Sequence, residues 1–196
     1  KLEGFEPLPT LFLEFHGTDA GVKEQAEAVE AIAGDFGASG FAWATDAESR
    51  NRLWQARHDA YWAAVNLKPG HRGITTDVCV PISRLAEAVL GAKEKSRESG
   101  LTSCIVGHVG DGNFHCLILF PENEPDGLER AWALDRAIVA EGLALGGTCS
   151  GEHGVGLGKR EFLEQEHGAE ALAVMRSVKV ARDPRGIMNP GKMFRN

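Results

Sequence analysis

Two short stretches concentrate the residues able to do chemistry. The first is Gly107-His108-Val109-Gly110-Asp111-Gly112-Asn113-Phe114-His115, with one histidine on each side of a run of turn residues. Strands on both sides would make this a hairpin, and residues opposite each other on paired strands lie about 5 Å apart, Cβ to Cβ. Two imidazoles at that separation can share one metal ion, and the same pattern also fits a glycine-rich hairpin with two core histidines. The second stretch is Gly151-Glu152-His153-Gly154-Val155-Gly156, a carboxylate and an imidazole side by side among glycines that let backbone approach a ligand closely. Glu152 would complete a His108, His115, Glu152 set whose three protein ligands leave the open position a catalytic metal needs. His153 would then act as a base beside the metal. A polar surface loop is the other reading of this segment. It is not a phosphate loop, because the spacing fails G-x-x-x-x-G-K-[ST].

A third candidate is Arg57. Within one helix, Trp54, Arg57 and Tyr61 fall on a common face by i, i+3 and i+4 spacing. A guanidinium between two aromatics suits a carboxylate substrate, and a structural salt bridge is the competing explanation. Arg72 reads as solvated surface charge, as do Lys93-Glu94-Lys95 and Lys159-Arg160-Glu161 on helix faces. His16, His58, His71 and His167 have no partner pattern. Cys79, Cys104, Cys116 and Cys149 form no C-x-x-C pair and read as reduced core residues.

The elements that must position these groups follow from periodicity and turn residues. Strands are expected at 11–15, 41–45, 74–80, 102–108 and 114–120. Asp19 is expected to cap a helix through Ala33, Asp46 one to about Asn66, and Ser83 one with Leu85, Val89 and Leu90 inward. Asp126 and Glu129 resemble a capping box opening a helix to about Leu145. Two helices split at Gly168 follow, stopped by Asp183-Pro184, and Asn189-Pro190-Gly191 turns the tail. This order predicts an α+β fold, a largely antiparallel sheet covered by helices, with ferredoxin-like units.

The bulk numbers set limits. A chain of 196 residues suffices for one good-sized domain or two small lobes. A net charge of -7 without a basic patch argues against a nucleic-acid partner. No apolar run approaches the ~20 residues of a membrane span. The opening Lys1-Leu2-Glu3-Gly4-Phe5 reads like the interior of a longer protein.

Taken in order, GHVGDGNFH, CSGEHGVGLGKREFL and DPRGIMNPGKMF resemble the C-terminal half of flavin-linked D-2-hydroxy-acid dehydrogenases of the vanillyl-alcohol-oxidase type. WQARHDAYWAA and TTDVCVPISRL are similar to the D-lactate branch, and the resemblance runs from about Leu11 to Phe194. It implies that residues 1–196 are a substrate, or cap, domain whose N-terminal FAD-binding domain lies outside this chain. The expected reaction is oxidation of a D-2-hydroxy acid to a 2-oxo acid with hydride transfer to FAD. D-lactate leads as substrate, with glycolate or D-2-hydroxyglutarate as alternatives, and a non-catalytic metal-binding or assembly module as the reading from another class. By the same resemblance His108, His115 and Glu152 bind a divalent metal, zinc or manganese. His153 is the catalytic base, Arg57 and Asn113 contact substrate, and Asn189 approaches the flavin. The implied partners are the hydroxy acid, the FAD domain and an electron acceptor (a cytochrome, a quinone or a flavoprotein), with a homo-oligomer left open. The implied location is cytoplasmic or peripheral to the inner membrane, with the chain soluble.

Overall fold

The computed structural model describes residues 8–194, and the chain divides into two compact units, one ending at Trp62 and one beginning at Ala63. In the first unit, helix α1 (Asp19–Asp35) is capped by Thr18, whose hydroxyl accepts from Gly21 N at 3.2 Å. Asp19, the expected cap, is instead the first helical residue, where its charge faces the positive end of the helix dipole. Asp46 caps α2 (Ala47–His58) as expected, accepting from Ser49 N at 2.8 Å. The helix foreseen to about Asn66 breaks at Asp59, and α3 (Ala60–Val65) follows. The strands expected at 11–15 and 41–45 do not form. Both segments find no ladder partner among the described residues, and an extended segment without one gains no sheet hydrogen bonds.

The second unit is built on a sheet. Strands β1 (His71–Thr75) and β2 (Val78–Cys79) lie in succession along one edge of β4 (Asn113–Pro121), and β3 (Thr102–His108) lies along the other. All pairings are antiparallel. The register of β1 on β4 continues without a slip into β2, so the strand expected at 74–80 exists in register, its ladder interrupted only at Thr76-Asp77. There the Thr76 hydroxyl accepts from Cys116 N at 2.9 Å, and Thr76 N donates to Cys116 O. After helix α5 (Gly127–Ala144), Thr148 exchanges two backbone hydrogen bonds with Cys79. A strand-helix-strand-strand-helix order with this pairing is the ferredoxin-like arrangement, its last strand reduced to one bridge.

Side-chain alternation on β4 separates two environments. Phe114, Cys116, Ile118 and Phe120 enter the main core with residues of α4 (Leu85–Ser99) and α5. On the opposite face Leu117 and Leu119 pack with Ala64 and Val65 of α3, while Asn113 and His115 occupy the end nearer the hairpin turn. Helix α4 turns Leu85, Ala88, Ala92 and Ser96 inward; Leu90, expected inside, is 66% exposed, because the buried stripe follows i, i+3, i+4 from Leu85. Ser83 lies in a single 3-10 turn and makes no cap. Asp126 stands at the N-cap of α5 but in helical conformation, and its side chain caps nothing. Helix α6 (Leu163–Arg182) contains the expected break at Gly168, whose φ of 81° and ψ of 161° only glycine adopts readily.

Candidate metal centre

The hairpin that carries His108 and His115 forms where the turn residues placed it. Residues Val109–Asp111 make one 3-10 turn and Gly112 closes it at φ 74°. A Cβ at Gly112 would collide with Val80 O, so this backbone approaches the neighbouring strand as only glycine allows. The closing pair is His108 with Asn113, and His115 lies opposite Val106. The two histidines are therefore diagonal neighbours on one face, not directly opposite. Their ring centroids are 5.9 Å apart, edge to face.

The glycine-rich loop supplies the other two groups. Glu152 Oε1 stands 2.7 Å from His115 Nε2, 3.7 Å from His108 Nε2 and 3.8 Å from His153 Nε2. Three imidazoles thus converge on one carboxylate oxygen. Donors around a tetrahedral zinc, with bonds of roughly 2.0–2.2 Å, stand about 3–3.5 Å from one another, a spacing near these carboxylate–imidazole separations. His115 Nδ1 donates to Thr76 O at 3.1 Å, which leaves Nε2 to face Glu152. A backbone carbonyl on the far nitrogen is the usual support of a ligating histidine. His153 stacks on His115 with centroids 4.8 Å apart and planes 9° from parallel.

Sequence reasoning missed two residues of this site. Asp77, completely buried, lies across from His115 in the β1/β2 register. It also offers an oxygen to a group with His115, Glu152 and His153 whose donor atoms lie within 4.8 Å of one another. Its carboxylate accepts from Glu152 N at 3.1 Å, His153 N at 2.8 Å and Lys159 Nζ at 2.9 Å. Both of its oxygens are engaged by protein donors. Burial alone would push its pKa up; the hydrogen bonds from His153 N–H, Lys159 and Glu152 N–H outweigh that and hold it below the usual carboxylate value. Lys159, read from the sequence as a solvated helix charge, lies in a turn before α6, its side chain only 13% exposed. Arg160 likewise bonds Gly191 O at 2.7 Å. The available signal was an acid inside an apolar strand, Thr76-Asp77-Val78, and the register that sets it beside His115.

The remaining candidates are spread more widely. Asn113 is 5% exposed beneath Gly151, and its Oδ1 has no hydrogen-bond partner. Asn189 adopts φ 47° in the tail turn, closed by Lys192 N to Asn189 O. Met193 N donates to Gly156 O, tying the tail to the glycine-rich loop. Arg57 belongs to α2 in the first unit. The single face foreseen for it is interrupted at Asp59: Trp54 approaches His58, and Tyr61 meets Trp62 edge-on at 5.2 Å. Arg72 is exposed, 3.8 Å from Glu122, as expected of surface charge. The four cysteines are free thiols.

Comparison with known proteins adds a lineage to this geometry. The family model for the C-terminal domain of FAD linked oxidases matches residues 5–193. A probable mitochondrial D-lactate dehydrogenase of Danio rerio is 50% identical over 95% of this chain and 37% of its own length. A mitochondrial D-lactate dehydrogenase (cytochrome) of Arabidopsis thaliana is 43% identical over 95% of this chain and 33% of its own. Glycolate oxidase subunit GlcD of Bacillus subtilis is 35% identical over 94% and 39%. The chain spans about a third of the length of these relatives. Among solved structures, 4-ethylphenol oxidase of Gulosibacter chungangensis shares the fold, with a TM-score of 0.65 at 18% identity over 91% of this chain and 37% of that one.

Proposed function

This chain belongs to the C-terminal domain family of the FAD-linked oxidases, and from that premise we propose that it is the substrate- and metal-binding domain of a flavin-dependent D-lactate dehydrogenase. The observation that carries the reading is the meeting of His108, His115 and His153 at Glu152 Oε1. Identities of 50% and 43% to D-lactate dehydrogenases, against 35% to a glycolate oxidase subunit, favour lactate over glycolate. A dicarboxylate such as 2-hydroxyglutarate would call for a second arginine or lysine in the pocket; Arg72 is exposed near Glu122, and Lys159 is paired with Asp77.

In this proposal His108, His115 and Glu152 hold the cation. A divalent metal there, zinc or manganese, supplies Lewis acidity toward the substrate hydroxyl. FAD, bound chiefly by the preceding domain, supplies the hydride acceptor. His153 takes the hydroxyl proton: its half-exposed ring is braced by His115, with Nε2 3.8 Å from Glu152 Oε1. Arg57 fixes the substrate carboxylate through charge-assisted hydrogen bonds. Asn113, buried beside Gly151, is assigned to the substrate side. Asn189 is assigned to the flavin side. The electron acceptor is a cytochrome, a quinone or a flavoprotein, and the location is cytoplasmic or peripheral to the inner membrane; among the described residues no helix is long and apolar enough to cross a membrane.

The test is made on the full-length protein that carries this domain. Elemental analysis should find about one zinc or manganese per chain, lost in the His108→Ala, His115→Ala double variant together with D-lactate-dependent dye reduction. Full turnover of D-lactate by protein free of metal would overturn the metal assignment. Turnover of glycolate with none of D-lactate would overturn the substrate.

A further inference from the structure

The stacked rings of His115 and His153 lie between two carboxylates. Their Nε2 edges face Glu152 Oε1, at 2.7 and 3.8 Å. Their Nδ1 edges face Asp77, at 3.8 Å from Oδ1 and 4.0 Å from Oδ2 respectively. The two acids are not equivalent. Glu152 is about half exposed and, among the described residues, faces imidazoles, whereas Asp77 is wholly buried and surrounded by donors. Two of those donors are the backbone N–H groups of Glu152 and His153 themselves. A third is the Lys159 ammonium, and the Ser150 hydroxyl adds a longer contact at 3.4 Å. Asp77 O also accepts from Gly151 N at 3.0 Å. One residue on the edge strand thus ties the whole 150–153 segment to the strand that bears His115.

We propose that Asp77, with Lys159 as its counterion, is the positioning residue of this site: it holds the loop so that Glu152 and His153 face the same open side as His115. The geometry stands without the functional reading; what the loop then does rests on it. The loop's own sequence cannot supply the restraint, because its glycines leave the backbone many conformations of similar energy. Asp77 replaces that freedom with three charge-assisted hydrogen bonds in a dry setting, where such bonds are at their strongest. Lys159 keeps the buried carboxylate from standing unpaired. Removing either partner alone leaves the other charge buried without compensation, so the two substitutions must be strongly coupled.

The experiment compares full-length parent protein with Asp77→Asn, Lys159→Met, the double variant and Lys159→Arg. Bound flavin and thermal midpoint report folding. Metal affinity is measured by chelator competition, kcat and KM with D-lactate, and hydrogen exchange across residues 150–156 by mass spectrometry. In Asp77→Asn, flavin stays bound, the segment exchanges faster, and metal affinity and kcat each fall ~10- to 100-fold, the usual cost of losing an outer support. KM stays within about 2-fold, since the carboxylate hold is made elsewhere. The double variant is no worse than Asp77→Asn, and Lys159→Arg recovers most of the turnover that Lys159→Met loses. Parental metal affinity and kcat in Asp77→Asn, or losses that simply add in the double variant, would overturn the proposal. If Asp77→Asn does not fold, the Lys159→Met and Lys159→Arg pair decides: equal behaviour of the two sinks it. If the parent itself neither binds metal nor oxidises D-lactate, the functional reading fails, and the exchange data alone judge Asp77: a 150–156 segment that exchanges no faster in Asp77→Asn refutes it.

Discussion

At the scale of single residues, Glu152 and His153 are adjacent in the chain yet face different demands. Glu152 meets three imidazoles with one oxygen, and both side chains are about half exposed. In the proposed reaction the imidazole takes the proton and the carboxylate holds the cation. His153→Ala in the full-length protein should therefore leave metal content intact and lower kcat by roughly 10²-fold or more, the contribution expected of a positioned general base. Turnover near the parental value in a folded, metal-loaded variant would remove His153 from the reaction. The pair Glu152-His153 was legible from its glycine surroundings. Asp77 was not, because nothing adjacent to it in sequence marks it as the acceptor of N–H groups from a loop so far along the chain.

Elements were readable where the chain itself supplies both halves of an interaction. The β3–β4 hairpin, the Asp46 cap and the Gly168 break each depend on residues a few positions apart. The two strands of the first unit failed because a strand requires a partner that local periodicity cannot name. Helix α5 shows a similar limit. Its buried stripe runs Ala131, Leu134, Asp135, Ile138, Val139, placing an acid where the spacing calls for an apolar residue. Burial raises the Asp135 pKa from its usual 3.8 to about 6, with Lys159 opposing the rise and Glu161 adding to it. A carboxyl with a raised folded-state pKa favours folding below its unfolded value and loses that benefit as pH rises through the folded one. The parent should thus lose stability between about pH 4 and 6 relative to Asp135→Asn, by roughly 3 kcal/mol at most. Urea unfolding of both proteins at pH 4 and 7.5 checks this; a difference that does not change with pH would contradict the burial argument.

For the whole molecule, a chain spanning about a third of its relatives carries a complete imidazole–carboxylate cluster. In the proposed reaction it supplies the groups that hold substrate and move a proton, and the preceding domain supplies the flavin's binding site. The 196-residue chain given FAD, D-lactate and a dye acceptor should accordingly show no turnover above background, with circular dichroism confirming that it is folded. Rates comparable to the full-length protein would defeat the division of labour.

Spacing and residue type were enough to establish the hairpin, the two histidine-bearing motifs, the α+β class and the family resemblance, because each is written in contiguous residues. Folding settled what contiguity cannot. It made His108 and His115 diagonal, set Asp77 across from His115, and drew Lys159 out of solvent to pair with it. Those outcomes depend on which strand edge meets which and in what register, and that is fixed by the packing of the core as a whole.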